Sequence, residues 1–306
     1  MKFHLPLFPT CWLLLSCLSV KAAEQLPFLD GEPTDWRIPR THIVWPENPG
    51  DADICIWEDD KLAAMSITID DNCYMNVEWW LKTAEEHGFK ITWFLITDRI
   101  DKKVTPKANG TWDDWNVVKN AGHDLQSHTA WHLHTHLPIW TGIEDEYKIG
   151  QEQINTNVNG ARSDFLAYPG GPNTKLNSLE AAQKYYAGAR GVGGGFNLPG
   201  KTNYFNTKTF AWPMDPENAP PFANPNSLLN PKDYNRYRGW MVLLVHGIKD
   251  YGILDPMLKY LDEHREDFWL GLYADVSRYG QERDTATLTL TSKEPTRLSY
   301  SSSGAG

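Results

Sequence analysis

Between Leu62 and Thr285 short apolar runs alternate with amphipathic stretches, and this alternation constrains the fold more than any other property of the chain. The runs Ala64–Ile69, Phe89–Thr97, His123–Ser127, Phe165–Tyr168, Trp240–Val245 and Phe268–Tyr273 read as strands, with the glycine-rich Ala187–Gly195 as a further strand or loop. Val77, Trp80, Leu81 and Ala84 recur at i, i+3, i+4, i+7 before Gly88, which predicts a helix over Met75–His87. Helices are also expected over Trp112–Asn120, Ile143–Asn159, Leu176–Tyr186, Leu254–Glu266 and Val276–Thr285. Strand–helix repetition implies a parallel sheet, and about seven repeats in one α/β domain favour closure into a barrel over an open sheet. Asp53–Trp57 is expected to form a hairpin with the strand ending at Ile69, and Phe196–Arg238, dense in Asn and Pro, to cross the active face as a long loop.

The segments outside the expected barrel, residues 53–286, read differently. Residues 1–22 carry Lys2, an apolar core through Trp12-Leu13-Leu14-Leu15 and a small-residue site at Val20-Lys21-Ala22, the pattern of an export signal. The product is therefore expected to be periplasmic or secreted, the alternative being a lipoprotein acylated at Cys17. Residues 23–52 form an irregular lead-in, and residues 287–306 a polar tail that is the stub of a linker or of a second domain. Twenty-nine basic against 39 acidic residues, a formal charge of −10 without a basic cluster, argue against nucleic acid as a partner. No apolar stretch after the leader is long enough to span a membrane. Cys55 and Cys73 are expected to be free buried thiols rather than a disulfide.

Ser66-Ile67-Thr68-Ile69 ends abruptly in Asp70-Asp71-Asn72, so two carboxylates stand together at a strand end. Adjacent acids after a strand are commonly a turn or a helix cap. His128 and His132, four apart, would share one side of a helical turn; surface histidines are the plain alternative, since His134 and His136 follow at once. His246, closing an apolar strand, would by itself read as a core histidine. In a barrel, however, chemistry sits at the C-terminal strand ends, and Asp70-Asp71, His128, Tyr168-Pro169 and His246 all fall there. Two His plus one Asp is also a metal-ligand set.

Taken together, Thr68-Ile69-Asp70-Asp71, His128-Thr129-x-x-His132, Tyr168-Pro169-Gly170-Gly171 and Leu244-Val245-His246 resemble, in order and spacing, four motifs of the polysaccharide deacetylases, carbohydrate esterase family 4. The resemblance covers about residues 60 to 285. It implies a distorted (β/α) barrel, a divalent metal, most often zinc, and hydrolysis of N- or O-acetyl groups on an acetylated carbohydrate. By the same resemblance Asp71, His128 and His132 are metal ligands, Asp70 the general base and His246 the general acid, with the Tyr168 N–H as an oxyanion donor. Tyr168, Pro169, Arg190, Asp215 and Leu244 are the candidate substrate-side residues.

Two positions depart from the family pattern. The Arg that braces the catalytic Asp, two residues before the motif's Pro, is replaced by Ala167, with Arg190 on the next strand as a substitute. The acid that orients the catalytic His has no clear match, and Asp215 is the candidate. Two other readings stay open: a different carbon–nitrogen amide hydrolase on this scaffold, and a non-catalytic carbohydrate-binding protein with a relic site. A zincin-type protease is disfavoured by the absence of His-Glu-x-x-His.

Overall fold

Ala63–Ile69, the first strand (β1), is buried along its whole length and splits by parity into two cores. Ala63, Met65, Ile67 and Ile69 join the apolar layer beneath the helices, whereas Ala64 joins an aromatic cluster on the opposite side. Ser66 and Thr68, on the Ala64 side, stay buried because both are bonded: Ser66 Oγ accepts from Trp240 Nε1 at 3.0 Å, and the Thr68 hydroxyl donates to Leu243 O at 2.9 Å. A strand buried on both faces needs cover on both.

The computed structural model describes residues 52–102, 106–220, 222–294 and 297–304; the export signal and all but the last residue of the lead-in lie outside them. After β1 come α1 (Val77–Glu86), β2 (Ile91–Leu95), α2 (Pro106–Asn109), α3 (Trp112–Asn120), β3 (Asp124–Ser127), α4 (Ile143–Asn157), β4 (Phe165–Ala167), α5 (Ser178–Tyr185) and β5 (Gly188–Arg190). Then follow β6 (Phe210–Ala211), β7 (Trp240–Val245), α6 (Asp255–Glu263), β8 (Phe268–Leu270), α7 (Tyr273–Thr285), β9 (Thr287–Glu294) and β10 (Arg297–Ser303). The parallel sheet runs β5-β4-β3-β2-β1-β7-β6, and β8 pairs with β1 at Ala63–Met65. Since Ala64 is paired with both Trp240 and Trp269, β8 shares with β2 the edge of β1 that β7 leaves free. The two ends of the sheet curl back to meet: Thr207 N–H donates to Ala189 O at 3.1 Å and Gly191 N–H to Thr207 O at 2.9 Å, three residues before β6 begins. The α/β fold is a distorted, seven-stranded (β/α) barrel with one extra strand at β1.

Its interior is solid. Tyr273 sits among Phe94, Phe165 and Trp240, with ring centroids 5.6, 5.7 and 5.2 Å away, and forms an aromatic plug below the C-terminal mouth. The helices follow their sequence signals closely. Thr111 and Asp114 form a reciprocal capping box that starts α3 at Trp112 as expected, and α1 ends where Gly88 adopts φ +60°. Gly150 is required on α4: a Cβ there would lie 2.8 Å from Ser127 Oγ and 3.0 Å from the Thr129 carbonyl carbon, so only glycine lets α4 press against the end of β3.

Four expectations are corrected. Asp53–Trp57 is not a hairpin arm; Trp57 is held through its Nε1, which donates to Arg238 O at 2.8 Å, and a short 3-10 turn at Glu58–Asp60 leads into β1. The expected loop 196–238 contains β6, too short for a periodic signal, and the segment that closes the sheet. Thr287–Glu294 and Arg297–Ser303 pair as the antiparallel strands β9 and β10 rather than forming a polar tail. Cys55 and Cys73 are both free, but Cys55 is exposed.

Candidate metal centre

The inward parity of the strands carries Asp70, His128, Arg190 and His246 to one end of the barrel. On β1 the inward row Ala64, Ser66, Thr68 continues to Asp70; on β7 Trp240, Val242 and Leu244 continue to His246. In the same way Gln126 leads to His128, and Arg190 closes β5 opposite Ala167 in the register with β4. All end at the C-terminal mouth, above the aromatic plug.

Alternation alone would turn Asp71 away from Asp70. Asp71, Asn72 and Cys73 instead take φ values of 60°, 64° and 45°, three consecutive left-handed residues that fold the chain over the mouth. Such non-glycine strain persists only where surrounding contacts hold it, and here the buried Asn72 does so. Its Oδ1 accepts from Ile96 N–H at 2.7 Å and its Nδ2 donates to Ile96 O at 3.2 Å, tying the turn to the end of β2. Both acids thereby face the histidines: His128 Nε2 lies 3.7 Å from Asp70 Oδ2 and 3.6 Å from Asp71 Oδ1, and His132 Nε2 lies 3.4 Å from the same Asp71 oxygen. His128 and His132 do not share a helical turn. They stand on a loop with left-handed Thr129, His132 and Leu133, which brings their rings to 4.9 Å between centroids.

Asp71, His128 and His132 fit a divalent cation. One ligand atom from each lies within 4.8 Å of the others, and Asp71 Oδ1 is buried with no hydrogen-bond partner among the described residues. The Ala167 carbonyl can only accept, so the 2.8 Å contact puts the proton on His128 Nδ1 and leaves Nε2 with a lone pair toward the acids. Burial pushes the His128 imidazole down, and burial with the neighbouring His128 pushes His132 down to about 4, so both are neutral donors at neutral pH.

Asp70 has a different partner. Arg190 Nη2 donates to Oδ1 at 2.6 Å and Oδ2 at 2.5 Å, both side chains are essentially buried, and the guanidinium carbon lies 5.0 Å from the Phe94 ring centroid. Arg190 therefore holds Asp70 and, being fully buried, is not a substrate-side residue. The small Ala167 leaves it room, since the two are direct register partners. His246 is exposed and follows Val245, the partner of Ile69, so it stands one strand away from Asp70.

Other expectations are revised. The Tyr168 N–H already donates to Arg190 O at 3.0 Å in the β4–β5 ladder and is not free for an oxyanion. Its side chain is buried on the outward face, with its hydroxyl donating to Phe205 O, and Pro169 is buried beside it. Asp215 is exposed and caps its own turn, accepting from Glu217 N–H and Asn218 Nδ2; it does not touch His246. What fixes the His246 loop is Asn76, which the sequence reading missed. Its Oδ1 accepts from Ile248 N–H at 3.1 Å and its Nδ2 donates to Ile248 O and Tyr251 Oη at 2.8 Å each. An Asn just ahead of a helix signals a cap, and nothing in the sequence points it across the barrel.

Among known proteins, the chain is 32% identical over 282 residues to a gellan lyase from a Bacillus species, a match that takes in 84% of this chain and 11% of that protein. The chain thus spans about a tenth of the length of that curated relative. Its backbone is similar to a Streptococcus pyogenes deacetylase, PplD, in complex with acetate (TM-score 0.41, 19% identity, 47% of this chain and 62% of that one). It is similar also to a family 4 carbohydrate esterase from Bacillus anthracis (TM-score 0.43, 16% identity, 72% and 86%). Residues 58–188, which carry the acid pair, the two histidines and Tyr168-Pro169, match the family model for polysaccharide deacetylase, and this segment is similar to that family.

Proposed function

We propose that this domain is a metal-dependent hydrolase that removes acetyl groups from a polysaccharide or oligosaccharide. The observation that carries the reading is a His-His-Asp donor set meeting at one point beside a second carboxylate held by a buried arginine. Asp71, His128 and His132 would hold the cation, and two imidazoles with one carboxylate suit zinc. A bound cation would polarise the acetyl carbonyl and lower the pKa of a water at the site.

The remaining work falls to this chain's own groups. Asp70 accepts the proton of the attacking water, and Arg190, donating to both its oxygens, fixes the orientation of the carboxylate. His246, exposed at the neighbouring strand end, donates a proton to the departing amine or alcohol. A buried Arg–Asp pair is a poor way to stabilise a barrel compared with apolar packing. Its presence at the mouth favours catalysis over a relic binding site.

The substrate class is an acetylated carbohydrate; the gellan lyase relative adds gellan to the polymers worth testing. Acetate release from chitin oligomers, peptidoglycan, acetylated xylan and gellan, with zinc-loaded wild type beside Asp70→Asn, tests the proposal. Release from at least one polymer, lost in the variant, is expected; none from any, or equal release by both proteins, overturns it. We also propose export, on the leader pattern of residues 1–22. Mass spectrometry should find a mature N-terminus near Ala23, and an intact Met1 in the recovered protein would refute this.

A further inference from the structure

Three histidines alternate along the mouth loop, His132, His134 and His136, yet only His132 joins the ligand set. His134 is not remote: its ring centroid lies 6.2 Å from that of His132, and His136 follows 5.5 Å further on. The side-chain chemistry of the three is identical, so something outside the imidazoles chooses among them.

We infer that Glu146, a fully buried acid on the first turns of α4, makes that choice by gripping the peptide groups on either side of His132. Its Oε1 accepts from Trp131 N–H at 3.1 Å and from Leu133 N–H at 2.6 Å. The same oxygen accepts from the Thr129 hydroxyl at 2.8 Å, and Thr129 Oγ1 in turn accepts from His132 N–H at 2.9 Å. Oε2 accepts from Trp140 Nε1, where the loop returns to α4, and the Glu146 carbonyl accepts from Ala130 N–H at 3.2 Å. Every backbone N–H from Ala130 to Leu133 is thus tied to Glu146 directly or through Thr129.

This grip offsets the left-handed φ values at Thr129, His132 and Leu133 of 69°, 59° and 55°, a conformation that non-glycine residues adopt only where surrounding contacts hold it. Gly150, with no room for a Cβ, keeps α4 close enough for a glutamate to reach. Beyond Leu133 the grip ends, with the Trp140 contact as its far anchor, and among the described residues His134 and His136 have no comparable hold. Glu146 is a positioning residue. It decides which imidazole Asp71 and His128 meet.

The inference rests on the ligand assignment proposed above, and the test separates the two. Zinc affinity is measured by chelator competition on the purified chain, with thermal melts in chelator as the control for folding. Glu146→Gln keeps the shape but replaces one acceptor with a donor, so four donors can no longer be satisfied. It should bind zinc about 10–100-fold more weakly, the usual effect of losing a group that orients a ligand. In that background His134→Ala or His136→Ala should weaken zinc further, although each is silent in wild type, because a freed loop lets them compete. Trp140→Phe, which removes one donor and leaves the carboxylate, provides a milder variant should Glu146→Gln not fold, and should weaken zinc less at an unchanged melt. Wild-type chain that binds no zinc overturns the ligand assignment and this inference with it. Wild type that binds while Glu146→Gln and Trp140→Phe match it, or a Glu146→Gln background in which His134→Ala and His136→Ala both stay silent, overturns the selection alone.

Discussion

Replacing Arg190 by Met removes the charge but keeps an aliphatic chain over Phe94, and this isolates what the guanidinium does for Asp70. Arg190 has no exposed surface, and Asp70 is 2% exposed. Solvent cannot take over from the lost partner. Removing one member of a buried pair costs about 3–5 kcal/mol, since the other is left uncompensated. In a domain of this size one kcal/mol moves the melting temperature by roughly 2–4 °C, so a fall on the order of 6–20 °C is expected. Melts by circular dichroism in excess chelator give the number without a contribution from bound metal. The register supplies a rescue: Ala167 faces Arg190 across β4 and β5, so Ala167→Arg combined with Arg190→Ala returns the guanidinium from the adjacent strand. The swap should recover at least half of the loss. An Arg190→Met protein melting within about 2 °C of wild type, or a swap no more stable than Arg190→Ala, would refute the view that this pair is uncompensated when broken.

Three further expectations follow from the site and the core. His132→Ala should release most of the bound zinc in metal analysis of purified protein, whereas His134→Ala and His136→Ala should retain it; equal occupancy in all three would remove His132 from the ligand set. Asp70→Asn should keep the metal while kcat falls by roughly 10²–10⁴, and Asp71→Asn should weaken metal binding with activity partly restored by excess zinc; the opposite pattern would exchange the roles of the two acids. His123 is buried and accepts from Ile91 N–H, and burial, assisted by the Lys90 charge, pushes its pKa from 6.5 down to about 4. Below pH 6.5 the unfolded chain takes up a proton that the folded one refuses until about pH 4, so stability is full above that window and falls as the pH drops through it, by about 3 kcal/mol from this one group. Urea titrations between pH 7 and 4 should show a shallower fall for His123→Asn, and parallel curves would show that His123 is not the source.

The sequence by itself determined most of the barrel, because hydrophobic periodicity is a local record of burial. Trp240–Val245 and Trp112–Asn120 begin and end where their apolar pattern and caps say. The mouth residues were legible too, since strand parity and strand ends are written in the chain: Asp70, His128 and His246 need only be counted along their strands. Tertiary structure decided what depends on pairs distant in sequence. Arg190 reaches Asp70 across 120 positions, Asn76 reaches Ile248 across 172, and in both cases the partner is named by sheet order, not by spacing. It also decided the backbone of the two turns. A run such as Asp70-Asp71-Asn72 announces a turn, but the left-handed conformation that brings both carboxylates to the histidines is imposed by the bonds between Asn72 and Ile96 at the end of β2, and that of the histidine loop by Glu146 on α4. Side-chain grips of this kind act through contacts that the linear order of residues does not encode.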